Sequence, residues 1–73
     1  MVKIHATRER QHVQVAFDWS RGQAEAGVLA ETKNWDAVST WHNSHFLDPK
    51  TGSSWVIYLP DQAWSGEVRM LAG

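Results

Sequence analysis

The residues that chemistry would recruit first are His42 and His45, three positions apart, with Ser44 between them and Asp48 just downstream. On a helix that spacing lets two imidazoles share one face and reach one metal ion; on a strand it turns them to opposite faces. A catalytic zinc needs a third protein ligand, and no carboxylate stands at a diagnostic interval, Asp36 and Asp48 being only near in sequence. The same stretch holds every residue type of a Ser-His-Asp triad. A triad, however, converges from separate elements beside an oxyanion hole, and the nucleophile elbow G-x-S-x-G does not occur. The five glycines are dispersed singly, so no phosphate-cradling loop is present either. A chain of 73 residues has little interior in which to build a small-ligand pocket of about 300 Å³ or more. The expectation is therefore a protein that is not an enzyme, with no catalytic residue, no metal, no cofactor and no small-molecule substrate.

The aromatic residues say more. Trp19, Trp35, Trp41, Trp55 and Trp64 are joined by Tyr58, Phe17 and Phe46. Each such side chain buries roughly 150–250 Å² when covered, more in total than one small core encloses. Trp35 stands between Asn34 and Asp36, and Trp64 precedes Ser65-Gly66, so these two are expected at the surface. One reading makes each a lid over an end of a sheet, its N–H in water. The other makes Trp35, Trp41, Tyr58 and Trp64, with Arg8 and Arg10, the binding residues, because Trp, Tyr and Arg dominate interface hot spots.

Two classes of partner follow. In the first, the domain is an inhibitor or adaptor that docks onto another protein, or onto itself as a homodimer, through an aromatic patch or an exposed strand edge. In the second, a small barrel stacks the bases of single-stranded nucleic acid on Trp and Tyr while Lys3, Arg8, Arg10 and Lys50 track phosphates. Seven basic against eight acidic side chains give a net charge of -1, with an isoelectric point near 6.4, whereas nucleic-acid domains usually carry a basic excess. Protein binding is the favoured class. The first ten residues are locally basic, with Lys3, Arg8 and Arg10 against Glu9.

The elements that would hold such a face belong to a single small domain over residues 1–73, since the length leaves room for one core only. No cysteine is available for a disulfide staple, which favours a reducing compartment. The start Met1 to Ala6 has no apolar run, and no stretch is apolar enough to span a bilayer, so a cytoplasmic protein without membrane contact is expected. Val13 to Trp19 alternates apolar and polar residues and reads as a strand; Val2 to Thr7 also alternates, and Arg8 to Gln11 then joins the two as a hairpin.

Next, Ser20 with Gln23 can open a capping box for a helix over about 21 to 32, or Arg21-Gly22 can turn the chain into a strand from Gln23 to Thr32. The strand is preferred, because Gly22 and Gly27 would each cost a helix about 1 kcal/mol. Trp35 to His45 has helical spacing but poor helix formers, and Asp48-Pro49-Lys50-Thr51-Gly52 is a strong turn. Folding Trp41 to Leu47 against Ser53 to Leu59 aligns Trp41, His45 and Leu47 with Trp55, Ile57 and Leu59 on one face. A last strand, Glu67 to Leu71, follows a loop from Pro60 to Gly66. The sum is a mainly β fold, a small antiparallel sheet or partly open barrel of five to six strands. One short helix would make it α+β.

Overall fold

Val13, Ala16, Phe17 and Ser20 are the buried residues of the first element, and their spacing of three, one and three is that of one face of an α-helix. The computed structural model describes residues 4–72. It shows helix α1 (Arg10–Glu25) followed by strands β1 (Ala30–Lys33), β2 (Asn43–Leu47), β3 (Ser54–Tyr58) and β4 (Glu67–Ala72). The strands form an antiparallel meander in the order β1-β2-β3-β4, and α1 packs across one face. The fold is thus α+β, with four strands where five to six were expected.

The expected opening hairpin is overturned. Val13 to Trp19 lies inside α1, as do Arg10 and Gln11 of the supposed connection. The segment satisfies both periods at once, and two residues tell them apart: Val15, on the apolar face of the expected strand, is half exposed, while Ala16, on its other face, is buried. Of the Val2 to Thr7 strand, Val2 and Lys3 lie outside the described residues; Thr7 makes an isolated antiparallel bridge to Val68 of β4. Ser20 caps nothing, because it sits in the middle of α1. The helix ends instead at Gly27, whose φ of 81° and bonds from Gly27 N to Ala24 O and Val28 N to Gln23 O form a left-handed cap. Of the two glycines counted against a helix, Gly22 lies inside α1 and Gly27 terminates it, so the strand preferred over Gln23 to Thr32 gives way to helix up to Glu25 and strand only from Ala30.

On the inner face, α1 meets Phe46, Trp55, Ile57 and Val68, and Leu29 completes the core. Phe17 stands edge-on to Phe46 with centroids 6.3 Å apart, and Phe46 lies nearly parallel to Trp55 at the same separation. Ser20, with 0% exposure, accepts a 3.1 Å hydrogen bond from the Trp55 indole Nε1, so the buried N–H has its partner inside the helix–sheet interface. Arg21 lies over the Phe17 ring at 4.6 Å and donates from Nε and Nη2 to Glu31 of β1, which also accepts from Ser44 at 2.7 Å. This ties helix to sheet edge. Burial opposes ionisation of Glu31, but hydrogen bonds from Arg21 and Ser44 and the charges of Arg21 and Lys33 outweigh it and hold the carboxyl below its ordinary value.

The hairpin of β2 and β3 forms around the Asp48 to Gly52 turn, with Asp48 N bonded to Ser53 O. Its register differs by one residue from the expected alignment: Phe46 faces Trp55 and Ser44 faces Ile57, so His45 and Leu47 lie on the face opposite Trp55 and Ile57. Because the side-chain period of a strand is two, that single step exchanges the faces. The final strand forms one residue longer than expected, and no helix forms over Trp35 to His45. Among the described residues, no helix is long and apolar enough to cross a membrane.

Candidate functional site

The face of the sheet that α1 leaves open carries Asn43 and His45 of β2, Val56 and Tyr58 of β3, and Glu67 and Arg69 of β4. The β1–β2 connection, residues 34–42, folds back over this face instead of leaving it to solvent. Asn43 holds it there. Its buried amide accepts from Asp36 N at 2.8 Å and donates to the carbonyls of Asp36 and Trp41 at 3.0 and 2.9 Å. Asn34 enters the loop with φ of 54°, a left-handed conformation that asparagine tolerates. The loop sets Trp35 on His45, rings stacked with centroids 5.3 Å apart, and brings the Asp36 carboxylate to the Tyr58 hydroxyl, which donates at 2.8 Å. Burial, then the hydrogen bond and charge of Asp36, push the Tyr58 hydroxyl above its ordinary pKa.

The β3–β4 connection supplies the other wall. Asp61 Oδ1 accepts from Ala63 N and Trp64 N, each at 2.8 Å, closing a tight turn. Arg10 at the start of α1 donates from Nη2 to the carbonyls of Asp61 and Trp64, and the Ser65 hydroxyl donates to the Arg8 carbonyl at 2.6 Å. Trp64, so fastened, packs on Trp41 at 4.9 Å and on Tyr58 at 6.1 Å between ring centroids. In front of these rings opens a cleft of about 370 Å³, lined by Asp36, Val38, Ser39, Trp41, Tyr58, Trp64, Glu67 and Arg69. So short a chain has little interior for such a volume, but two loops build it on the outside of the sheet.

Of the residues singled out from sequence, Trp41, Tyr58 and Trp64 meet at this cleft, and Trp35 lies on the same side, 46% exposed. Trp55 is buried in the core and Trp19 is partly buried against it, so the five indoles are divided between inside and outside. Arg8 and Arg10 do not line the cleft. Arg8 makes an exposed 3.7 Å ion pair with Glu67, and Arg10 positions the Trp64 loop from behind. Asp36, Glu67, Arg69 and Asn43 were not singled out. Their one sequence signal is that Asp36, Glu67 and Arg69 are charges beside or between aromatic and strand residues, a pattern that solvent-facing positions share.

No family model, curated protein or solved structure matches this chain.

The histidine cluster disperses. His45 faces outward under Trp35, whereas His42 lines a separate hollow of about 210 Å³ with Arg21, Lys33 and Ser44. Ser44 donates to Glu31, and Asp48 accepts from Lys50 N in its turn, so neither is directed toward a histidine. Among the described residues no three His, Cys, Asp or Glu side chains gather as a metal would require.

Proposed function

We propose that this protein is a non-enzymatic binding module, an inhibitor or adaptor, that docks onto another protein through its outer aromatic face. One observation carries the reading: Trp41, Tyr58 and Trp64, drawn from three separate segments, converge on the side of the sheet that the helix does not cover. Trp35, 46% exposed, and Val38, 94% exposed, add apolar surface on this side, Asp36, Ser39, Glu67 and Arg69 give the cleft a polar rim, and Tyr58 itself is 5% exposed. Rigid aromatic anchors with few rotatable bonds beside polar rims are what protein interfaces use. A strand edge suits docking less well: β1 is four residues long and ends in Lys33, and Thr7 already pairs with β4 at Val68.

Charge placement favours protein over single-stranded nucleic acid. Arg8 lies outside the cleft, Arg10 is turned to backbone carbonyls, and Lys50 lies in the turn at the other end of the hairpin from Tyr58. A phosphate track beside the stacking rings would need those cations free and alongside. The reading suits a cytoplasmic protein, and a second copy of the chain is one partner it admits. Its test is affinity capture on immobilised wild type and Trp64→Ala. The expectation is a protein retained by wild type in high salt and weakened about thirtyfold by the variant, as loss of a 2 kcal/mol hot spot implies. Equal capture by both, or retention of nucleic acid that washes off as salt rises, would refute it.

A further inference from the structure

We infer that the outer cleft takes the guanidinium of an arginine on the docking partner. The inference rests on the docking reading and names the chemistry of what enters. The fold already holds one guanidinium there: Arg69 lies over the Tyr58 ring with its Cζ 5.3 Å from the centroid, and donates to Glu67 at 3.1 Å. An aromatic face below and a carboxylate beside are the two things a planar, weakly hydrated cation seeks. The cleft offers both a second time. Trp41 and Trp64, packed on each other with ring centroids 4.9 Å apart, both line it, and indole is the best of the aromatic groups for a cation. Asp36 lines the same cleft and accepts from the Tyr58 hydroxyl.

The charge count agrees. The lining holds two carboxylates, Asp36 and Glu67, and one cation, Arg69, so it is one positive charge short. Arg8 reaches Glu67 from outside, but at 3.7 Å and with 77% of its side chain exposed, a contact that solvent screens. A partner's arginine laid on the Trp41–Trp64 wall and paired with Asp36 supplies the remaining charge and leaves Arg69 on Tyr58. A carboxylate ligand would instead face Asp36 and Glu67.

The probe is N-acetyl-arginine methylamide, with the neutral isostere N-acetyl-citrulline methylamide as control. Each is titrated into the isolated protein and followed by tryptophan fluorescence and by the indole N–H resonances. Saturable binding is expected for arginine alone, with Kd on the order of millimolar, as one side chain allows. Asp36→Asn keeps an acceptor for the Tyr58 hydroxyl and should weaken binding about tenfold or more, the worth of a hydrogen bond to a charged group. Arg69→Gln removes a like charge from an exposed position and should tighten binding. Equal responses to arginine and citrulline, an Asp36→Asn protein that binds as wild type, or no response to arginine would each overturn the inference.

The two readings fail separately. If Trp64→Ala abolishes capture while the arginine amide neither binds nor competes, the docking face stands and the arginine inference falls. If the amide binds while capture ignores Trp64→Ala, the cleft is an arginine site and the docking reading falls.

Discussion

Three glycines with left-handed backbones provide a test of the structure with its controls built in. Gly27, Gly52 and Gly66 have φ of 81°, 77° and 83°. A Cβ added at Gly27 or Gly52 meets nothing within 4 Å, whereas at Gly66 it would lie 2.6 Å from Tyr58 O, 2.9 Å from Pro60 N and 3.1 Å from Val13 Cγ1. Alanine at the first two sites therefore pays only for the left-handed conformation, about 1–2 kcal/mol. Alanine at Gly66 adds an overpacking cost of about 1–3 kcal/mol, because two of the three obstructing atoms are backbone at the exit of β3 and cannot rotate away. The expected losses are about 1–2 kcal/mol for Gly27→Ala and Gly52→Ala and about 2–5 kcal/mol for Gly66→Ala. Against a total of about 0.05–0.15 kcal/mol per residue, the last removes a large share of the stability of a 73-residue chain.

Urea titrations with unchanged m-values would read these differences directly. Gly66 lies two residues from Trp64 and beside Tyr58, so relief of the clash should also disturb the Trp64–Tyr58 contact and the tryptophan emission. If Gly66→Ala falls within about 0.5 kcal/mol of Gly27→Ala, the close approach of β4 to the end of β3 is wrong. So, then, is the placement of the Trp64 wall.

Other outcomes follow from the polar contacts. Ser20→Ala strands the buried Trp55 indole N–H and should cost about 1–3 kcal/mol in the same titration; a neutral substitution would disprove that bond. Because the Glu31 carboxyl is held below its ordinary 4.5, its contribution to stability is complete above that pH and is lost as pH falls through the lower folded value. Thermal melts of Glu31→Gln should accordingly lose less stability on acidification than wild type, and identical acid limbs would count against the Arg21–Glu31–Ser44 network. Tyr58 has the opposite sign: its hydroxyl is raised above 10.0, so its contribution persists below pH 10 and disappears as pH climbs through the folded value. As the chain's single tyrosine, it can be titrated by tyrosinate absorbance alone, and a midpoint at or below the ordinary value would contradict the bond to Asp36.

How far the sequence was legible differs along the chain, for identifiable reasons. The Asp48 to Gly52 turn and the strands around it were readable because the turn's residues act locally: Asp48 bonds Lys50 N and Gly52 N, and Gly52 accepts the left-handed conformation. The strand faces were not, because register turns on a single residue of turn geometry. α1 was misread because Val13, Val15, Phe17 and Trp19 alternate while Val13, Ala16, Phe17 and Ser20 also make a helical stripe. Only the packing of that stripe on Phe46, Trp55 and Ile57 decides between them. A small buried residue such as Ala16 or Ser20 carries little weight in a pattern of large apolar ones. Here it is what lets the helix approach the sheet, and Ser20 receives the Trp55 indole as well.

The aromatic surplus was legible in kind and in part by residue, since it follows from ring area against chain length. Its convergence was not, because no local rule relates Trp41 to Trp64. What joins them is Asn43, which holds the 34–42 loop from below, and Arg10, which holds the 61–64 turn from the helix. Neither residue touches the cleft space, yet both set the wall that faces it. The division is then physical: the inner face buries Trp55 and two phenylalanines in the core, and the outer face leaves Trp35, Trp41 and Trp64 outside it. The two loops over the outer face are held by the buried Asn43 amide and the exposed Arg10 guanidinium, so the positions of Trp41 and Trp64 are set without either ring entering the core.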